Sequence, residues 1–269
     1  MSALLEVQDL RATFQQGGRP VEVLHGVSFQ VAPGEALGVI GESGSGKSVM
    51  ARAVMRLAPE NSSVKLSGQI RYRGTDLLAL SERQMTDYRG QKIAMVFQDP
   101  MTSLNPTMTV GAQIDDMVMR HKGLTKAQAR ERTVELLDQV GIRNPRLRAD
   151  DHPHHFSGGM RQRALIAMAV SCDPDLLIAD EPTTALDVTV QAQILRLLMR
   201  LREDRKMAMM LITHDFGVIA GMVDRVNVMQ HGHIVETGEI GEVFARPQHE
   251  YTQSLLAAIP RLRSAEVAS

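Results

Sequence analysis

"GESGSGKS", Gly41–Ser48, is the stretch whose reading decides the rest of the chain. Its spacing is G-x-x-x-x-G-K-S. In such a loop backbone N–H groups wrap a phosphate, the lysine reaches the terminal phosphates, and the hydroxyl ligates a divalent cation. The flanks agree with that reading. "EALGVI" (Glu35–Ile40) is a short apolar run of the buried-strand type, and the residues after Ser48 read as a helix. A merely flexible glycine linker would match the spacing without needing this strand–loop–helix order. Gly41, Glu42, Ser43, Gly44, Ser45, Gly46, Lys47 and Ser48 are therefore expected to cradle the phosphates of a nucleotide.

Working outward, the chain reads as α/β. "VEVLHGVSFQV" (Val21–Val31) alternates apolar and polar residues and ends at the turn "APGE", which predicts one strand of an N-terminal hairpin. "SGQIRYRG" is a further strand closed by Gly74. From Thr107 to Gly141 the pattern turns helical, with a capping box at Thr125 and Gln128 and a stop at Gly141. A second helix is expected from Ala164 to Val170, and an amphipathic one over "VTVQAQILRLLMRLRED", with Ile194, Leu197, Leu198 and Leu201 on its apolar side. "DLLIADE" and "MAMMLIT" are continuous apolar strands of the parallel, doubly covered type. "RVNVMQHGHIVETG" reads as a hairpin around His231-Gly232.

"DLLIADE" also supplies chemistry. Asp180 ends a buried strand, where open α/β sheets place their ligands. There it can hold Mg²⁺ through water, and Glu181 can orient or deprotonate an attacking water. An acidic pair after a strand is by itself commonly a solvated turn; the phosphate loop upstream favours the catalytic reading.

Composition excludes several other classes. The chain has 269 residues, 43% of them hydrophobic, and a net charge of −1, so no overall basic character marks it for nucleic acid. No run approaches the length of a membrane span. The N-terminus has early acids and no signal-peptide architecture, which makes a cytosolic compartment the expectation. The single Cys172 reads as a small buried hydrophobe. The 17 methionines read as adaptable core filler rather than a metal or promiscuous surface. His152–His155 ("HPHH") lacks helical ligand spacing and reads as a polar loop.

"FSGGMRQR" (Phe156–Arg163) places a serine and two glycines at a helix N-terminus, a second anion cradle. One phosphate chain does not need two in one subunit, so the second is expected to serve a nucleotide held by another subunit. With it the chain resembles the nucleotide-binding subunit of an ATP-binding cassette (ABC) transporter over nearly its whole length. "FSGGM" resembles the family signature, with Phe156 and Met160 as departures. The resemblance implies that Gln98 of "VFQDP" senses Mg²⁺ and the γ-phosphate and that "TTALD" ends at the D-loop Asp187. It implies that His214 of "LITHD" meets the γ-phosphate and that Phe14 stacks on adenine. Ser157, Gly158 and Gly159 would close over ATP held by the partner. Catalytic roles then fall to Glu181, His214 and Gln98, and Mg²⁺ ligation to Ser48, Gln98 and Asp180.

The implied fold is a P-loop ATPase with a RecA-like parallel-sheet core, an antiparallel β subdomain and a helical subdomain. The cassette is expected over 1–240, with the helical part at about 98–169 and a short C-terminal extension at 241–269. "MTSLNPTMTVGAQI" and "HEYTQSLLAAIP" resemble the oligopeptide/dipeptide importer branch, Glu250 replacing its usual proline. Members of that branch often continue into a cysteine-rich iron–sulfur stretch; those cysteines are not in this sequence, and no cluster is expected. Expected cofactors are ATP and Mg²⁺. Expected partners are a second cassette bound head to tail, two integral membrane permease subunits and an extracytoplasmic substrate-binding protein. No nucleic acid is expected, and the place of work is the cytoplasmic face of the inner membrane. Nickel, glutathione and opine importers share these motifs. A soluble cassette ATPase acting on DNA or ribosomes is the alternative from another class, and it would usually carry a coiled coil, zinc fingers or two cassettes in one chain.

Overall fold

The computed structural model of the chain describes residues 3–17, 19–57, 64–184 and 186–258. Two long strands, β1 (Leu5–Gln16) and β2 (Arg19–Val31), open it and pair antiparallel. β3 (Ala36–Ile40) is buried at every position and runs into the glycine loop, after which α1 (Lys47–Val54) begins. β4 (Val64–Tyr72) and β5 (Thr75–Asp76) complete a four-stranded antiparallel sheet in the order β2-β1-β4-β5. The one-turn helix α2 (Glu82–Met85) leads to β6 (Ile93–Val96). Helices then take over: α3 (Pro100–Ser103), α4 (Val110–Lys122), α5 (Lys126–Gln139), α6 (Pro145–Arg148) and α7 (Gly158–Ala169). β7 (Leu176–Asp180), α8 (Val188–Arg205) and β8 (Ala208–Thr213) return to the sheet. α9 (Phe216–Ile219), the hairpin β9 (Arg225–Gln230) and β10 (His233–Glu239), and the helices α10 (Ile240–Ala245) and α11 (Glu250–Ala257) finish the described chain.

The second sheet has the order β10-β9-β3-β8-β7-β6. Its strands are parallel except for β10, which pairs antiparallel with β9. The apolar runs of β7 and β8 are continuous because this sheet is covered on both faces, and their side chains divide by the period of two. Leu177, Ala179, Met209 and Leu211 enter a core shared with α4, α5, α7 and α8. Leu176, Ile178, Met210 and Ile212 enter another, shared with α1 and the antiparallel sheet. Each fully buried leucine contributes about 1.5–3 kcal/mol. Met50, Met85, Met209, Met210 and Met229 are fully buried, so much of the methionine content is core filler. Cys172 is buried too, and burial pushes its thiol pKa up.

Local signals account for the helix ends. Thr125 and Gln128 form the reciprocal capping box on α5, and Gly141 lies just past its end at φ 78°. Asp187 caps α8 by accepting from the Val190 N–H, and Ile194, Leu197, Leu198 and Leu201 are buried. α7 differs from the expectation: it starts at Gly158, so both glycines lie in its first turn rather than ahead of it. Ser157 is the N-cap and accepts from the Met160 N–H at 3.3 Å. The cap offsets part of the low helix propensity of the two glycines, which costs about 1 kcal/mol per residue. The element expected to end at Pro260 is helical as α11, while positions 259–269 lie outside the described residues.

Candidate nucleotide site

Because β3, β6, β7 and β8 are parallel, their C-terminal ends share one edge of the sheet. The glycine loop follows β3, Gln98 follows β6, Asp180 ends β7 and His214 follows β8. Topology therefore gathers residues far apart in sequence at one crevice, as open α/β sheets do. Its volume is about 570 Å³; the loop forms its floor, Val23 and Val49 its apolar wall, and Gln98, Glu181 and His214 the far side.

The loop is held tightly. Gly41 has φ 154°, and a Cβ there would stand 2.1 Å from the Met229 carbonyl oxygen. The loop's other end is fixed by the Gly232 N–H, which donates to Ser45 O at 2.9 Å, so the His231-Gly232 hairpin tip braces it. Lys47 is 4% exposed, and its ammonium donates to the carbonyls of Gly41 (2.8 Å) and Glu42 (2.7 Å). Burial lowers its pKa, opposed by the charges of Glu181, Asp180 and Glu42. The Ser48 hydroxyl donates to Asp180 Oδ1 at 2.9 Å. Asp180 is 1% exposed; burial raises its pKa, against the Ser48 hydrogen bond.

Glu181 is gripped from three sides. Gln98 Nε2 and Thr184 Oγ1 each donate to its Oε2 at 2.9 Å, and His214 Nδ1 lies 3.4 Å from Oε1. Its backbone turns out of β7 at φ 46°, a left-handed conformation that costs a non-glycine residue about 1–2 kcal/mol. Its N–H still donates to Ile212 O at 3.0 Å, so the sheet holds the turn that aims the carboxylate into the crevice.

The family model for ABC transporters matches residues 24–184. The chain is 52% identical over 264 residues to the oligopeptide transport ATP-binding protein OppD of Bacillus subtilis, covering 98% of this chain and 74% of that protein. The dipeptide transport ATP-binding protein DppD of the same organism is 48% identical over 97% of this chain and 78% of that protein. A dimeric ATP-binding cassette, MJ0796, in a post-hydrolysis state with ADP and Pi superposes with a TM-score of 0.77 at 26% identity, over 88% of this chain and 98% of that one. The chain belongs to the ABC transporter family. It is an ATP-binding cassette ATPase with the parallel core, antiparallel β portion and helical portion of that fold.

Within the cassette, the crevice unites Lys47, Ser48, Gln98, Asp180, Glu181 and His214. Ser157, Gly158, Gly159 and Asp187 do not line it. They form a second group, in which a Cβ on Gly158 would meet Leu186 at 3.5 Å and one on Gly159 would meet Val190 at 2.8 Å. Phe14, expected on adenine, does not line the crevice either. Strand alternation puts it on the inward face with Leu10 and Ala12, and its half-buried ring walls a separate cavity of about 310 Å³ beside Arg52 and Arg56. Among the described residues, only Val49 borders both spaces.

Two partners were not anticipated from the sequence. One is Thr184 in "TTALD", whose signal in sequence is a hydroxyl three residues after Glu181. The other is the Tyr251 hydroxyl, which accepts from the Glu42 N–H of the phosphate loop at 2.9 Å.

Proposed function

We propose that the cassette hydrolyses Mg²⁺-ATP to power import of di- or oligopeptides through a membrane permease. The convergence of Lys47, the Ser48–Asp180 pair, Gln98, Glu181 and His214 at one sheet edge carries the chemistry. The peptide cargo follows from relatives that are named for oligopeptide and dipeptide transport.

Loop amides and Lys47 bind the β- and γ-phosphates, a role for which the buried ammonium is suited. The oxygen donors fit a hard cation: Ser48 would ligate Mg²⁺, Asp180 would hold it through water, and Gln98, which lines the same crevice, would add a further donor. When bound, Mg²⁺ neutralises charge on the transferring phosphoryl group. Glu181 orients a water in line with the γ-phosphorus and takes its proton as the water oxygen bonds to phosphorus and the bridging oxygen leaves with ADP. Thr184 and Gln98 fix the Glu181 carboxylate, and His214 contacts the γ-phosphate.

Ser157, Gly158 and Gly159 at the start of α7 serve a partner cassette bound head to tail, which is identical or homologous to this chain. Asp187, in the adjoining turn, belongs to the same contact. Adenine stacking by Phe14 requires its ring to turn out of the cavity beside Arg56. The permease docks on the apolar groove lined by Phe97, Ser103, Met117, Leu165 and Met168, between the core and the helical lobe over 98–169. Among the described residues no helix is long and apolar enough to cross a membrane, in keeping with a peripheral subunit at the cytoplasmic face. A substrate-binding protein on the other side delivers the cargo.

Reconstituting the full complex in vesicles tests the proposal. Peptide-loaded binding protein should stimulate ATP hydrolysis. Glu181→Gln should retain ATP, lose nearly all turnover and accumulate closed cassette pairs. Wild-type turnover in that variant removes Glu181 as the base, and stimulation by nickel or glutathione instead of peptides reassigns the cargo.

A further inference from the structure

The segment after β10 is docked at both ends of a short path to the phosphate loop. The Glu236 carboxylate on β10 accepts from the N–H groups of Gln248 (2.8 Å) and His249 (3.1 Å). Burial opposes its ionisation, but these hydrogen bonds prevail and its pKa is lowered, so the anchor is a carboxylate. His249 then caps α11 by accepting from the Tyr251 N–H at 3.2 Å. Leu255 and Leu256 press the helix onto the core that holds Val243. That places the half-buried Tyr251 ring so that its hydroxyl accepts from the Glu42 N–H at 2.9 Å. Burial raises the phenol pKa, so the group stays a neutral phenol.

Glu42 directly follows Gly41, the residue pressed against the Met229 carbonyl. The loop is thus held at its start by β9 on one side and α11 on the other, and toward its end by Gly232. A cradle of amides binds an anion best when its dipoles are already oriented, because ordering them on binding subtracts from affinity.

We propose that Tyr251 is a positioning residue of the nucleotide site: its hydroxyl tethers the start of the phosphate loop to the C-terminal helix and raises the affinity for ATP. The C-terminal segment is then part of the nucleotide site, and movement of α11 would alter ATP binding without touching Glu181. This rests on the reading of Gly41–Ser48 as the ATP cradle.

The test compares full-length wild type, Tyr251→Phe and Lys47→Ala in the assembled complex, using Mg²⁺-ATP. Tyr251→Phe keeps the ring and removes one oxygen. Its KM for ATP should rise about three- to tenfold, the worth of one hydrogen bond, with turnover at saturating ATP within about twofold of wild type. Hydrogen exchange of the peptide spanning 41–46 should quicken, while the thermal midpoint falls by no more than the loss of one hydrogen bond costs, about 2–4 °C. A wild-type KM in Tyr251→Phe, beside lost ATP binding in Lys47→Ala, overturns the tether and leaves the ATP site standing. Wild-type ATP binding in both variants overturns the site assignment itself. A raised KM that comes with a fall in thermal midpoint well beyond about 4 °C assigns the effect to docking of α11 and also overturns the proposal.

Discussion

Glu181 and Gly159 show how much single backbone positions carry. Glu181 adopts a left-handed φ of 46° that a glycine would adopt freely, yet a glycine there would have no side chain to meet Gln98, Thr184 and His214. Gly159 shows the opposite case, an absent side chain. Alanine there would gain about 1 kcal/mol of helix propensity. Its Cβ would stand 2.8 Å from Val190 Cγ1, however, and overpacking costs about 1–3 kcal/mol. The contact should win, so Gly159→Ala lowers the denaturation midpoint. In a Val190→Ala background the same change should be neutral or stabilising. Equal losses in both backgrounds, measured in urea, would show that Val190 is not the reason for the glycine. Part of the bareness of this helix start is thus explained within the chain, by α8, independently of any nucleotide held by a partner.

At the scale of elements, the helical lobe depends on a few polar staples. Gln113 on α4 is 9% exposed and serves the turn ahead of its own helix. Its Oε1 accepts from the Asn105 N–H at 2.8 Å, and its Nε2 donates to the carbonyls of Asn105 (3.1 Å) and Met108 (3.3 Å). This holds the "SLNPTM" turn between Gln98 and α4. Arg161 on α7 donates to Pro153 O at 2.7 Å and reaches the sulfur of Met101 on α3, joining the segment after Gln98 to the signature helix. Removing Gln113 breaks part-buried hydrogen bonds to the backbone of the turn, each worth about 0.5–1.5 kcal/mol. Gln113→Ala should therefore lower thermal stability and weaken stimulation of the ATPase by loaded binding protein. ATP affinity at Lys47 should stay at the wild-type value, because no part of the loop touches Gln113. A fall in ATP affinity equal to the fall in stimulation would show that the turn does not act as a separate lever.

For the whole molecule the two glycine-bearing helix starts, Gly41–Ser48 before α1 and Ser157–Gly159 at α7, matter most. Of the loop at Lys47 and the start of α7, only the first lines the crevice. In the proposed head-to-tail pairing, each crevice is completed by the other chain's Ser157. In a mixed assembly in which one cassette carries Ser157→Arg, the lost occluded nucleotide should be the one bound at the unmodified chain's Lys47. Both chains should still bind ATP when open. Loss at the mutant's own Lys47 instead, read by labelling each site separately, would exclude this geometry.

The phosphate loop, the buried strands, the capping box and the acid pair are all legible in sequence, because each depends on residues within a few positions of one another. Periodicity sets which faces are apolar, and cap chemistry sets where helices end. Even there Gly158 and Gly159 read as lying ahead of a helix that Ser157 in fact caps. Contacts between distant segments are different. That Gln98 and His214 meet at Glu181 follows from the strand order β10-β9-β3-β8-β7-β6, which no local pattern encodes. Phe14 faces α1 because of the alternation of a strand whose register is broken by bulges, and motif position alone does not show which face it takes. Tyr251 reaches Glu42 across 209 positions of sequence. Local chemistry and periodicity specify the parts and the reaction they can perform; only packing, which brings remote residues within hydrogen-bonding distance, decided which of them share a site.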